Sequence, residues 1–350
     1  GLLTYLEKQN YQLKNGVAFI RDGVESIFDF SEQFTKGQTF TWQVPRADFD
    51  NVLAEGAQEL GVKIMFETGV TAVEINDNSQ LITIEDKDGS VSQLESKYLI
   101  DSSGYGRVLP RLLDLDDDTT LPVRTTIFAH IHDGKRQNYM ENINYITYLV
   151  HDDHYVWNIP FANGNTSMGI VGANEVFDVK EGSLADKYKQ LIADEPYLTE
   201  RYGDQELVFE PRMLKGFSTG VKKLYGKGFV LTGNATEFLD PIFSSGVTLA
   251  TESGLKAAKL VEKELNGEIV DWETEYEAYV RFGVDVFKTY VNAWYDTSLH
   301  SIFFAKNQQE EVRKQICSIL AGYVWDRTNP CVNRYKTILQ TLKKVIEIQS

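Results

Sequence analysis

Short apolar and aromatic runs, broken by Gly, Asn and Asp, fill much of the first 230 residues and predict strands. The chain opens inside an amphipathic helical pattern, Gly-Leu-Leu-Thr-Tyr-Leu-Glu. Gly16 to Phe30 then reads as extended through Val17-Ala18-Phe19-Ile20 and Ser26-Ile27-Phe28-Asp29-Phe30, and Gln38 to Val44 is aromatic and extended. Asp48 to Leu60 places Phe49, Leu53 and Leu60 on one helical face and stops at Gly61. Val62-Lys63-Ile64-Met65-Phe66 reads as a strand. A helix, a glycine and a short apolar strand are half of a βαβ unit.

From Gly69 to Ser92, turn signals at Asn76-Asp77-Asn78 and Asp86-Lys87-Asp88-Gly89 divide a β-meander, and Tyr98-Leu99-Ile100 is a further strand. Residues 124 to 173 alternate as several strands, among them Tyr145 to Val150, Tyr155 to Phe161 and Ser167 to Val171. Helices are expected from Leu184 to Asp194, short of Pro196, and from Thr251 to the end. Between them, Phe229 to Leu231 is a strand that stops at Gly233, and after Pro241 a helix-compatible pattern resumes past Gly246. The amides of Ser245, Gly246 and Val247 therefore lie where a helix begins. Such amides hold anions. The same residues also read as a plain strand-to-helix connection whose glycines satisfy turn geometry.

At 350 residues, with 42% hydrophobic and 12% aromatic content, the chain suits a globular enzyme of one large or two smaller domains. A formal charge of −16 argues against nucleic acid, which needs a basic face. Asp114 and Asp116 to Asp118 read as a solvated loop. Cys317 and Cys331 are too few for a disulfide framework and point to a reducing cytoplasm. No apolar run approaches the ~20 residues of a membrane span. His151-Asp152-Asp153-His154 has no third ligand pattern, and no metal site is expected. No Gly-x-Gly-x-x-Gly opens a βαβ unit, and the chain does not start with Met. It reads as a fragment lacking a dinucleotide-binding unit of at least ~30 residues.

The order strand, Gly233-Asn234-Ala235, Asp240-Pro241, Ser244-Ser245-Gly246, helix resembles the C-terminal flavin-contacting motif of flavin-dependent, tryptophan-type halogenases and their aromatic-hydroxylase cousins, with Asn234 where Asp is usual. Gln43-Val44-Pro45-Arg46 resembles the family segment whose Arg, and often Gln, reaches the flavin dinucleotide. Asp101-Ser102-Ser103-Gly104-Tyr105-Gly106-Arg107 looks like its middle fingerprint. Tyr155-Val156-Trp157-Asn158-Ile159-Pro160 is similar to the family's Trp-x-Trp-x-Ile-Pro label with Tyr155 in the first Trp position, a departure that leaves room for a hydroxylase. Lys14, in Gln12-Leu13-Lys14-Asn15-Gly16, matches the segment carrying the family's essential lysine. The likeness runs on to Cys317 through Asp326, a helical stretch shared with bacterial halogenase-like flavoproteins.

This resemblance implies an FAD oxidoreductase with an α/β, glutathione-reductase-like FAD-binding fold, an inserted antiparallel β substrate domain and a helical C-terminal region. Residues 1–110 would be the remainder of the FAD domain, 111–224 the substrate domain, 225–265 the last FAD-domain strand and helix, and 266–350 the helical region. It assigns cofactor contacts to Gln43, Arg46, Val70, Asp101, Gly104, Gly233, Asn234, Pro241, Gly246 and Val247, halide binding to Ser245 and Gly246, and substrate-side positions to Trp157 and Pro160. Reduced FAD from a partner flavin reductase would form a C4a-hydroperoxide, chloride or bromide would attack it, and Lys14 would relay the hypohalous acid through a tunnel to an electron-rich aromatic, free or carrier-bound. Glu237, and Asp240 beside it, could act as base or orienter. A flavin monooxygenase, a geranylgeranyl-reductase-like oxidoreductase and a non-catalytic flavoprotein scaffold remain as alternatives.

Overall fold

The computed structural model describes residues 1–77, 79–136, 142–306 and 308–349, so Asn78 of the expected turn lies outside the described residues. The first elements are α1 (Leu3–Glu7), β1 (Gln12–Lys14), β2 (Gly16–Arg21), β3 (Val24–Asp29), β4 (Thr41–Gln43) and α2 (Arg46–Glu59). The meander β5 (Thr68–Ile75), β6 (Gln80–Asp86) and β7 (Val91–Ser96) precedes β8 (Leu99–Asp101), α3 (Val108–Leu112) and β9 (Asp116–Asp117). Next come β10 (Thr125–His132), β11 (Tyr145–Val150), β12 (His154–Pro160), β13 (Asn165–Gly172), α4 (Asn174–Asp178), α5 (Leu184–Ala193) and α6 (Pro196–Tyr202). Then follow β14 (Arg212–Lys215), β15 (Gly220–Val221), β16 (Tyr225–Gly226), β17 (Phe229–Leu231) and α7 (Ser245–Leu265). The chain closes with α8 (Ala278–Tyr295), α9 (Ser298–Phe303), α10 (Glu310–Leu320), α11 (Pro330–Asn333) and α12 (Tyr335–Gln349). No helix among the described residues is long and apolar enough to cross a membrane.

A seven-stranded sheet, ordered β14-β10-β13-β12-β11-β2-β3, forms the centre. Its pairings are antiparallel except β11 with β2, which run parallel from Tyr145 opposite Gly16 to Leu149 opposite Ile20. The sheet thus draws two strands from the first thirty residues as well as those of residues 125–215. Alternate residues point to opposite faces, and both faces are covered. Phe19, Phe28, Tyr148 and Tyr155 pack with Phe287, Tyr290 and Trp294 of α8 and Phe303 of α9. Ile127, Leu149, Val156, Met168 and Ile170 face Phe177 of α4, Tyr188 and Leu191 of α5, and Leu198 and Tyr202 of α6. Each such side chain contributes roughly 1.5–3 kcal/mol through burial.

A second, small sheet places β17 between β16 and β8, with β17 and β8 parallel. Among the described strands β8 has a neighbour on one side alone. The C-terminal helices close over the loop after β3, where the Cys317 thiol donates to the Asp29 carbonyl, the Thr35 amide donates to the Ser318 hydroxyl at 2.9 Å, and the Thr35 hydroxyl donates to Asp326 at 2.7 Å.

Two expectations change. Val62–Phe66 is not a strand: α2 ends, Gly61 turns at φ +93°, Glu67 turns again at φ +52°, and Val62, Met65 and Phe66 are exposed. An apolar run becomes a strand only with a ladder partner, and none pairs with it among the described residues. Asp116–Asp117 is a short strand against Gly220–Val221, not a free loop, because the buried Arg107 guanidinium binds Asp116 and the Gly220 carbonyl. Helix α7 starts at Ser245, where the sequence pattern puts a helix start, and Ser244 before it takes the left-handed turn at φ +51°.

Gly283 of α8 lies under the Trp325 indole, where an added Cβ would come within 2.3 Å of the ring. The indole cannot retreat easily, being stacked on Tyr279 and donating its N–H to the Tyr279 carbonyl at 2.9 Å. Gly283→Ala gains up to ~1 kcal/mol of helix propensity and overpacks a fixed ring at a cost of about 1–3 kcal/mol. The variant is expected to be less stable in urea unfolding. Equal or higher stability would show the indole to be loosely held.

Candidate functional site

Lys14 ends β1 and lies opposite Thr41 of β4, while Gln12 lies opposite Gln43. Its side chain is 8% exposed, and among the described residues no carboxylate pairs with its ammonium. The Nζ instead sits 5.8 Å from the Phe30 ring centroid, a cation–π contact. Burial lowers its pKa to about 8. The β1–β4 ladder sets Gln43 beside this segment. Gln43 donates to the Pro160 carbonyl at 2.6 Å and to the Ile143 carbonyl at 3.0 Å, and its own carbonyl oxygen is buried without a partner. Lys14, Gln43 and Pro160, far apart in sequence, therefore share one neighbourhood.

On the face of β12 opposite to Pro160, Trp157 and Tyr155 point toward α7 and α8, as Ile159 does. Trp157 donates from Nε1 to Ser167 at 3.2 Å and lies over Gly169, where any Cβ would meet the ring at 2.3 Å. Tyr155 is buried and donates to Asp240 Oδ1 at 2.7 Å. Tyr295, from the end of α8, donates to Asp240 Oδ2, and the Ile242 amide donates to Oδ1 at 2.9 Å. Burial pushes the Asp240 carboxyl above its ordinary value, opposed by these bonds and by Arg124. Tyr148 and Tyr295 had no local sequence pattern to mark them; Tyr148 reaches the Pro241 carbonyl and the Ser244 hydroxyl, each at 3.4 Å.

Asp240 and Pro241 open the turn that ends in Ser244 and starts α7. Ser245 is buried and Val247 is exposed. Gly246 is open: the nearest atom to an added Cβ is Asn234 Oδ1 at 3.9 Å, and that oxygen is buried without a hydrogen-bond partner. Gly233, at φ +53°, presses on Ala250 of α7 and donates its amide to Ser253 at 2.8 Å. The parallel strands β8 and β17 end side by side at Asp101 and Leu231, with the Thr232 amide bonded to the Asp101 carbonyl at 2.8 Å. Gly104, at φ +59°, has nothing within 4 Å of an added Cβ. Two glycine turns thus flank the carboxyl ends of adjacent parallel strands, where α/β folds collect ligands.

Several assigned residues do other work. Asp101 accepts the Ser103 amide at 2.7 Å on one oxygen and the Leu109 amide at 2.8 Å on the other, so its carboxylate builds the turn rather than reaching out of it. Arg46 heads α2 with its side chain 63% exposed and its Nε and Nη2 both donating to Asp50. Val70 lies at a bulge in β5 and is partly exposed. Glu237 is buried against Lys288 of α8. The His151 and His154 rings stack at 4.3 Å, and no group of three or more His, Cys, Asp or Glu among the described residues could hold a metal ion.

The sequence model of the tryptophan halogenase family matches residues 9–329. The chain belongs to that family. It is 27% identical over 295 residues to a 1H-pyrrole-2-carbonyl-[peptidyl-carrier protein] brominase of Pseudoalteromonas luteoviolacea, covering 82% of this chain and 71% of that protein. It is 25% identical over 351 residues to the corresponding chlorinase of Pseudomonas fluorescens, covering 93% and 78%. The crystal structure of a flavoprotein/dehydrogenase from Cytophaga hutchinsonii superposes with a TM-score of 0.97 at 46% identity, over all of this chain and 86% of that one. The flavin-dependent brominase Bmp2 superposes over all of this chain and 85% of its own at a TM-score of 0.82 and 22% identity, which shows a shared α/β fold with a mixed sheet and helices.

This halogenase-family chain is therefore an oxidoreductase-type enzyme, of a family whose flavin-dependent halogenases use FAD and a halide. The residues present fit the flavin: open backbone at Gly104 and Gly246 admits close approach, and the unpartnered Asn234 oxygen can accept a hydrogen bond there.

The lowered pKa of Lys14 makes stability depend on pH. Below about pH 8 both folded and unfolded chains carry the proton, so the burial cost is fully present; between 8 and 10.5 the unfolded chain keeps a proton the folded chain has lost, and stability rises with pH. Lys14→Met is expected to exceed the parent in stability at pH 7 by up to ~3 kcal/mol, the worth of the shift at 1.36 kcal/mol per unit. The advantage should shrink by pH 9.5. Urea unfolding of both proteins at the two pH values checks it, and a pH-independent difference would place the ammonium in water.

Proposed function

We propose that this protein halogenates an electron-rich aromatic, with Lys14 as the residue that handles the hypohalous acid. The observation that carries the reading is a lysine buried without a carboxylate partner among the described residues, beside Gln43 and Pro160. Bound reduced FAD would supply, with oxygen, the two-electron oxidation that turns a halide into hypohalous acid. Chloride or bromide would be held by the Ser245 and Gly246 amides at the start of α7. The Lys14 ammonium would donate a hydrogen bond to the oxygen of hypohalous acid. Its free amine would attack the halogen, forming an N–halogen bond as the O–halogen bond breaks and water leaves. Transfer to an aromatic carbon returns the amine, and Glu237, steadied by Lys288, would take the ring proton. Trp157 and Pro160 would wall the path against bulk water.

In this reading the fold is glutathione-reductase-like, with flavin along the ends of β8 and β17 and the seven-stranded sheet as the substrate-side layer. The free edge of β8 and the exposed Ile100, Val62 and Phe66 support pairing with a further βαβ dinucleotide unit. Gln43, Val70, Pro241 and Val247 would border the flavin, and Arg46 would reach its phosphates after leaving Asp50. The two pyrrole-carbonyl relatives act on carrier-bound rings, which supports an aromatic acyl group on a carrier protein, with reduced flavin delivered by a reductase. The Tyr155 departure and the flavoprotein/dehydrogenase likeness favour a flavin monooxygenase or reductase as the second reading.

Two measurements test these statements. With reduced flavin, oxygen and bromide, products should gain the mass and isotope pattern of bromine, and Lys14→Met should lower that product at least ~100-fold, the lower end of proton-transfer and covalent effects, while flavin oxidation continues. Oxygenated product independent of halide would establish the monooxygenase reading instead. The 350-residue chain by itself should purify with little flavin absorbance, and stoichiometric FAD there would refute the need for an added βαβ unit.

A further inference from the structure

The turn that starts α7 is held from two directions by phenols. Tyr155 reaches it from β12 and Tyr295 from the end of α8, each donating to one oxygen of Asp240, and Asp240 in turn accepts the Ile242 amide. All of this is buried or nearly so, with Asp240 4% and Tyr155 1% exposed. Tyr148, on β11, adds weaker contacts to the Pro241 carbonyl and the Ser244 hydroxyl. Ser244 is the residue that must stay left-handed, at φ +51°, for the next amides to point outward as the first turn of a helix. A non-glycine residue keeps that conformation only when its surroundings impose it.

We propose that Tyr155 and Tyr295 are positioning residues for halide binding: their bonds to Asp240 fix the Asp240–Ser244 turn and so the aim of the Ser245 and Gly246 amides. This rests on the halide reading given above and adds what holds that site in shape. It also gives the tyrosine at the first aromatic position of the Tyr-x-Trp motif a task of its own. Its ring packs edge-on to Tyr148 and Trp294 at 5.9 Å in each case, a filling role that phenylalanine would serve equally. The hydroxyl is what phenylalanine lacks. Loss of the Tyr295 phenol leaves Oδ2 without its donor, and loss of the Tyr155 phenol leaves Oδ1 with the Ile242 amide alone; a buried carboxylate short of donors is costly, so either loss drives Asp240 to find another partner and releases the turn.

The test compares Tyr155→Phe and Tyr295→Phe with Tyr188→Phe. Tyr188 is also fully buried and loses a hydrogen bond, to the Met168 carbonyl, but lies in the core on the other face of the sheet. Bromide titration of the FAD-loaded protein carrying the added βαβ unit, followed through flavin absorbance, should show a dissociation constant about tenfold higher in Tyr155→Phe and in Tyr295→Phe, and within twofold of the parent in Tyr188→Phe. Hydrogen exchange of the amides of residues 242–247, read on the protein without halide, should accelerate about tenfold in the first two variants alone. Unchanged bromide affinity and exchange in Tyr155→Phe, or equal losses in Tyr188→Phe, would overturn the proposal. If the parent itself binds no bromide, the halide site falls, and unaccelerated exchange in Tyr155→Phe would then sink the clamp as well.

Discussion

Asp240 is a buried carboxylate that takes hydrogen bonds from three separate parts of the chain: the central sheet, the long helix α8 and its own turn. Removing a carboxylate from water costs several kcal/mol unless its oxygens are satisfied, so the sheet and α8 must be docked before this turn is stable. Helix α7 depends on the turn for its start. The Phe19, Tyr148, Trp294 and Phe303 cluster brings α8 and α9 to the sheet, and it thereby sets the spacing at which two phenols reach one carboxylate. Packing fixes distance here, and hydrogen bonding uses that distance to orient a helix N-terminus.

Lys14 is handled in the opposite way. Asp240 is buried and surrounded by donors, whereas Lys14 is buried against an aromatic ring with no anion beside it among the described residues. A structural lysine at such a site would be expected to hold a carboxylate, since burial of an uncompensated charge lowers stability. That cost to the fold is the observation on which the role proposed above for Lys14 rests. The strand pairing β1–β4 and the Gln43 amide on Pro160 hold this segment rigidly, so the amine is fixed before any ligand arrives.

Much of this was legible in the sequence. Strand and helix patterns placed β2, β3, α2, the meander, β11 to β13, α5 and β17 close to where they fold, because alternation and helical spacing report which face is buried. The glycine turns at Gly104 and Gly233 were legible because a positive φ selects glycine. Val62–Phe66 was misread since apolarity marks a wish for burial, not a ladder partner. The Asp101 carboxylate and the Arg46 guanidinium were assigned by motif position, yet each meets nearby groups first, Ser103 and Leu109 for the one and Asp50 for the other. Local hydrogen bonds of this kind form within a few residues and leave no trace in composition.

What could not be read from the sequence is the convergence on Asp240. Tyr155 and Tyr295 are 140 residues apart, and neither carries a motif that names its partner. Tyr155 differs from the family's tryptophan in offering a hydroxyl on a slimmer ring, and the pleat of β12 directs it, with Trp157, toward α7. A substitution that weakens a motif by resemblance is here one that makes a direct polar link to Asp240. Departures from a family pattern therefore carry information of their own, recovered by asking what the changed atom touches.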